Sequence, residues 1–133
     1  MFREGQQVNP QMSAVTANLS NTDMQEIAAY YAEQQPVMPA GIGDPAKAEM
    51  GQKLVQTYYC DSCHLPGLVG QKHIPRLAGQ HEVYLAAQMR AYKAQTRTDM
   101  DGTMTVAMQP LSEEDIKILA DYIAHLNSGS PEE

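Results

Sequence analysis

An all-α fold is what this sequence predicts, and three observations carry the prediction. Apolar residues recur at helical spacing behind capping side chains, most plainly Ile116, Leu119, Ala120 and Ile123 behind Ser112. No stretch shows the strict alternation of a half-buried strand. The run Cys60-Asp61-Ser62-Cys63-His64 puts both cysteines of the 133-residue chain one helical turn apart, with an imidazole directly after the second.

That run reads as the attachment site of a c-type haem. Its spacing lets two thiols each add across one vinyl group of the same porphyrin, and the next residue's imidazole then reaches the iron. Three other readings compete. A redox dithiol would open a helix after a strand in a βαβ setting, for which there is no pattern here. A zinc site needs four ligands, so His64 would have to be joined by His73, His81 or His125 at no recognisable finger spacing. A chance match or a structural disulfide leaves the adjacent histidine unexplained. Haem attachment accounts for Cys60, Cys63 and His64 together.

Composition agrees. With no Trp, one Phe and seven Tyr, a protein core is thin unless a large planar apolar group supplements it. Nine Met residues suit packing around an irregular shape, and a thioether can also ligate iron. A formal net charge of -7 argues against nucleic acid as a partner. No apolar run reaches the roughly 18 residues of a membrane span, so a membrane-spanning chain is not expected. The start, Met1-Phe2-Arg3-Glu4-Gly5, has no apolar signal-peptide core. Covalent haem attachment implies an oxidising compartment, so the expectation is a periplasmic protein whose export signal was removed or lies upstream.

The chain also matches itself. At an offset of 92, Met12 falls on Met104, Leu19-Ser20 on Leu111-Ser112, Asp23 on Asp115, Ala28 on Ala120, Tyr30 on Tyr122 and Ala32 on Ala124. This is an internal repeat whose first copy is incomplete. Ser20 and Ser112 are N-cap candidates, each with an aspartate three residues on as a short-armed capping box. The helices they open are expected over about 21–34, closed by Pro36, and from Ser112 to a stop at Asn127-Ser128-Gly129.

Residues 35–45 read as a linker by their Pro and Gly content. Asp44 caps and Pro45 begins a helix that leads to the haem motif. Gly51 in its middle costs helical stability, so a close crossing is expected there, with the last helix near Tyr122. A Pro- and Gly-punctuated loop follows over 65–80, then a helix over about 81–96, then a Met-rich loop over 98–110. The architecture implied is three main helices around a flat prosthetic group.

Cys60 to His64, Pro75-Arg76-Leu77-Ala78-Gly79-Gln80, Tyr84-Leu85, and Met104 with Leu111-Ser112-Glu113-Glu114-Asp115-Ile116 together resemble the class I cytochromes c, most closely the di-haem bacterial cytochromes of the c-four type. The resemblance implies a class I cytochrome c fold around one covalent haem c, with an N-terminal helical extension. Residues 44–133 are expected to be a mono-haem domain. Residues 1–43 look like the end of a first repeat, running from the close of its middle helix at Phe2-Arg3-Glu4-Gly5, without a haem motif of its own. A missing first haem domain or a neighbouring chain would contact it.

Carried over from that family, Cys60 and Cys63 form the thioethers and His64 is the proximal ligand. The Pro75 carbonyl would accept the other ring hydrogen of His64. Arg76 is a candidate for a haem propionate, with a solvated surface arginine as the alternative. The sixth ligand comes from Met100, Met104 or Met108. The family pattern places it seven residues before the Leu-Ser pair, at Met104, and the self-match to Met12 agrees; Met108 is the runner-up, with pocket packing as its other role.

A His-Met pair leaves no open position on the iron, so the expected function is electron transfer and not catalysis. The expected partners are redox proteins, a membrane donor complex and a terminal acceptor such as a haem-copper oxidase. The alternatives are the haem subunit of a dehydrogenase complex, or a five-coordinate peroxidase-like or gas-binding protein. Five basic residues against Glu82 between Lys72 and Arg97, then Lys117 against eight acids from Thr98 onward, predict an uneven charge distribution.

Overall fold

The computed structural model describes residues 2–5, 7–37 and 41–126. Regular structure among them is helical, apart from one isolated bridge between Gln71 and Ile74. The chain forms two compact units, Met1–Pro36 and Val37–Glu133. The expected stop at Asn127-Ser128-Gly129 lies outside the described residues, as do Met38, Pro39 and Ala40 of the expected linker.

In the first unit, α1 (Pro10–Thr16) starts at Asn9, whose side chain accepts the Met12 N–H at 3.0 Å. Helix α2 (Asn21–Ala32) opens on a complete capping box: Ser20 Oγ accepts the Asp23 N–H and Asp23 Oδ2 accepts the Ser20 N–H, both at 3.0 Å. It ends two residues short of the expected Gln34. Phe2-Arg3-Glu4-Gly5 forms a turn closed by the Gly5 N–H on the Phe2 carbonyl, with Gly5 at φ 75°. Arg3 anchors that turn to the start of α2, donating to the Leu19 carbonyl and to Asn21 Oδ1. No residue of α1 or α2 is buried.

The second unit holds α3 (Pro45–Thr57), α4 (Cys60–His64), a 3-10 turn at Pro66–Leu68, α5 (Glu82–Lys93), α6 (Thr103–Met108) and α7 (Glu113–Ala124). Helix α7 is its centre and packs on α3 and α5. Ser112 and Asp115 form the same capping box at the same 3.0 Å distances, and three acids in the first turn suit the helix dipole. Ile116, Leu119, Ala120 and Ile123 are buried among Val55, Leu85, Met89 and Leu111. Each large aliphatic buried this way contributes about 1.5–3 kcal/mol.

The α3–α7 crossing is where the sequence places it. A Cβ on Gly51 would lie 2.4 Å from Tyr122 Cβ, an atom fixed to the α7 backbone. Gly51→Ala gains about 1 kcal/mol of helix propensity, whereas overpacking costs about 1–3 kcal/mol and here cannot be relieved by rotating a side chain. The clash wins. Urea denaturation of Gly51→Ala should show a lower midpoint; an unchanged or higher one would mean that the helices separate freely.

Two expectations need correction. Helix α5 ends at Lys93 and not near Thr96, because Gln95 takes a left-handed φ of 59° and the Thr96 and Arg97 N–H groups both fold back to the Ala91 carbonyl. The stretch 98–110 is not all loop: α6 forms within it, because two aspartates cap its first turn. Asp101 Oδ1 accepts the Thr103 N–H and Asp99 Oδ2 the Met104 N–H, each at 3.1 Å.

A polar lock joins the start of α3 to the end of α7. The Asp44 N–H donates to Asp121 Oδ1 at 3.1 Å, while Asp44 Oδ1 caps Ala46. His125 Nδ1–H donates to the Asp121 carbonyl at 2.8 Å. Glu82, Asp121 and His125 bring donor atoms within 4.8 Å of one another, but Asp121 Oδ1 and His125 Nδ1 are already committed to these bonds. Asp121 and His125 thus serve as a structural tie between α3 and α7.

Candidate haem attachment site

Helix α4 is one turn long, bracketed by left-handed residues: Tyr59 before it at φ 56° and Leu65 after it at φ 68°. This isolates the turn as a small platform carrying Cys60, Cys63 and His64. Both cysteines are free; Cys60 is half-buried against the core and Cys63 is exposed. His64 is buried.

The chain then reverses sharply under the histidine. Leu65, Gly67, Leu68, Gly70 and Lys72 all have positive φ. The reversal is held by the Gly70 N–H on the His64 carbonyl (2.8 Å), paired bonds between Gln71 and Ile74 (2.8 Å), and the Leu77 N–H on the Leu68 carbonyl (2.9 Å). Gln71 Nε2 also donates to the Cys63 carbonyl at 2.9 Å. The result is functional: Pro75 is brought to the imidazole, and His64 Nδ1–H donates to its carbonyl at 2.8 Å. That bond fixes the tautomer and leaves the Nε2 lone pair for a metal.

Electrostatics keep that ring ready to ligate. Burial pushes the His64 pKa below the ordinary imidazole value and the Pro75 carbonyl offsets this only in part, which favours the neutral ring. Burial, and secondarily the Asp61 carboxylate, push the Cys60 thiol up. Alkylation of the haem-free chain should therefore label Cys63 well before Cys60 at pH 8, read by peptide mass mapping; equal rates would contradict this environment. Two free thiols flanking a turn, with an oriented imidazole beside them, are the donor set that a covalent haem requires, and the residues fit that group.

The three methionines of the 98–110 stretch separate clearly. Met100 is 93% exposed. Met108 is 3% exposed and is part of the hydrophobic core. Met104 is half-buried at the core's margin, in the first turn of α6. Arg76 is half-buried, with its Nε donating to the Ala78 carbonyl at 3.2 Å. His73 and His81 are exposed, and His125 belongs to the lock.

Several residues that shape the site were missed by pattern reading. Asp99 and Asp101 are two of them, and the Asp-x-Asp-Gly run they form is a signal for capping a following turn. Lys93 and Gln109 clamp the other end of α6: Lys93 Nζ donates to the Gln109 carbonyl at 2.7 Å and Gln109 Nε2 to the Lys93 carbonyl at 3.1 Å. The basic and acidic stretches also partly neutralise one another, since Arg90 pairs with Glu113.

The cytochrome c family model matches residues 48–127. The chain is 32% identical to cytochrome c4 of Pseudomonas aeruginosa, over 95% of this chain and 67% of that protein. It is 31% identical to a thiosulfate dehydrogenase electron acceptor of Stutzerimonas stutzeri, over 94% of this chain and 62% of that one. The crystal structure of reduced recombinant cytochrome c4 from Pseudomonas stutzeri matches with a TM-score of 0.81 at 32% identity, over 90% of this chain and 67% of that one. The chain spans 60–67% of the length of the cytochrome c4 relatives. A helical fold shared with these proteins, a family match across the α3 to α7 unit, and a C-x-x-C-H turn with an oriented histidine lead to one conclusion: the chain belongs to the cytochrome c family, whose haem c is covalently bound.

Proposed function

We propose that the chain is a periplasmic electron carrier, passing single electrons from a membrane donor complex to a terminal acceptor such as a haem-copper oxidase. The observation that carries this reading is the His64 ring, buried and aimed by the Pro75 carbonyl at 2.8 Å. Bound haem would supply a one-electron couple, with a potential raised by a thioether ligand. Cys60 and Cys63 would tether the porphyrin, His64 and Met104 would ligate its iron, and Arg76 would offer a positive group to a propionate. With His64 and Met104 both ligating, the site would exchange electrons and leave no position for a substrate. Among the described residues no helix is long and apolar enough to cross a membrane.

Residues 44–133 act on this reading as the mono-haem domain, and residues 1–43 as the end of a first repeat. Support comes from the exposed apolar side chains of α2. Ile27 and Tyr31 are 44% and 68% exposed, while their repeat counterparts Leu119 and Ile123 are 1% and 3% exposed. A missing first haem domain, or a neighbouring chain, would cover them.

The similarity to a thiosulfate dehydrogenase electron acceptor favours a second reading, in which the chain is the electron-transfer haem subunit of a dehydrogenase complex. Spectroelectrochemical titration combined with carbon monoxide addition tests the carrier role. A reversible one-electron couple and no prompt carbon monoxide binding by the reduced protein are expected. Prompt binding would mark a five-coordinate, gas-binding or peroxidase-like site instead.

A further inference from the structure

We infer that Asp99 is the positioning residue for the sixth ligand, acting through the Met104 backbone. The inference rests on Met104 being that ligand. Helix α6 is only six residues long, and Gly102, at its N-cap position with φ 73°, has no side chain to satisfy the first N–H groups. Two carboxylates replace it, and they divide the work. Asp101 takes the Thr103 N–H; Asp99 takes the Met104 N–H, at 3.1 Å, from five residues away. The second bond fixes the residue whose thioether must meet iron.

Asp99 can do this because its loop is held independently. The Gly102 N–H closes a turn on the Asp99 carbonyl. Two residues upstream, Arg97 lies 4.9 Å over the Tyr92 ring and donates to Gln88 Oε1, which pins the loop to α5. Lys93 and Gln109 hold the far end of α6, so Asp99 is the restraint acting directly at Met104. The Asp99 Oδ1 and Thr105 Oγ1 atoms are both buried, so the start of α6 is closed to solvent at these two side chains.

The test compares the sulfur-to-iron charge-transfer band of the oxidised holoprotein in four variants, with a denaturation midpoint for each. Met104→Ala comes first, and loss of the band is required by the ligand assignment. Asp99→Ala should weaken the band and raise the Met-off population about tenfold, the factor carried by one charge-assisted hydrogen bond. Carbon monoxide binding by its reduced form should rise in parallel. Asp99→Asn, whose amide oxygen still accepts the Met104 N–H, should restore the band. Asp101→Ala removes a cap from the same turn without touching Met104 and should keep it. If Met104→Ala retains the band, the ligand assignment fails. If Met104→Ala loses it while Asp99→Ala keeps full intensity, or Asp99→Ala and Asp101→Ala weaken it equally, the positioning role fails and Asp99 is an ordinary cap.

Discussion

Met104→Ala is expected to abolish the sulfur-to-iron band of the oxidised protein and to lower its potential on the order of hundreds of millivolts, because axial ligands set most of the haem potential range. Met108→Ala should do the opposite: the band stays, while stability falls by about 2–5 kcal/mol for a large-to-small change in a packed core. The contrast follows from position. Met108 is 3% exposed and locked among core side chains, whereas Met104 stands half-buried at the core's edge. Optical spectra and denaturant midpoints of the two variants decide the matter together. Loss of the band in Met108→Ala and its survival in Met104→Ala would move the ligand by one helical turn.

The second large effect is expected six residues along the chain from His64, at a residue with no side chain to touch the iron. Gly70 has φ 81°, and a Cβ there would lie 2.4 Å from the Arg76 nitrogen, 2.7 Å from the Pro75 carbonyl carbon and 2.8 Å from the Ile74 oxygen. All three are backbone atoms, so the segment 74–76 must move. Its movement takes the Pro75 carbonyl away from His64 Nδ1 and disturbs the Gly70 N–H bond to the His64 carbonyl. Left-handed strain adds about 1–2 kcal/mol to the clash. Gly70→Ala should therefore give little holoprotein and a low denaturation midpoint. Gly102→Ala is the matched control, since its φ of 73° imposes similar strain but a Cβ would meet nothing within 4 Å. Equal losses in the two variants would show that the reversal beneath His64 is loosely packed.

Most of the helical frame was legible in the sequence because its signals are local. Ser112 with Asp115, Asp44 with Pro45, and the spacing of Ile116, Leu119 and Ile123 each act within a turn or two of chain. Gly51 could be read against Tyr122 because an interior helical glycine needs a reason, and close packing is the commonest one. The haem turn was legible for a different reason: the chemistry fixes the spacing of Cys60, Cys63 and His64.

The missed features depend on longer reach. Helix α6 contains Thr103, Thr105 and Val106, residues with little helical preference of their own. It forms because Asp99 and Asp101 satisfy its first N–H groups and Lys93, across 16 residues, holds its last turn. The shortened α5 depends on the left-handed Gln95, a conformation its composition does not announce. The loop beneath His64 was anticipated through Pro75 by family resemblance. The run of positive-φ residues that delivers Pro75 to the imidazole carries no sequence pattern beyond its glycines.

The most direct test of this account is the pyridine haemochrome spectrum of the denatured protein, matured with haem-attachment machinery and read against protein concentration. One non-extractable c-type haem per 14.6 kDa chain is expected, with attachment impaired in Cys60→Ala and in Cys63→Ala. Haem that extracts freely, or a chain that matures without any, would contradict the attachment site and the electron-carrier function built on it.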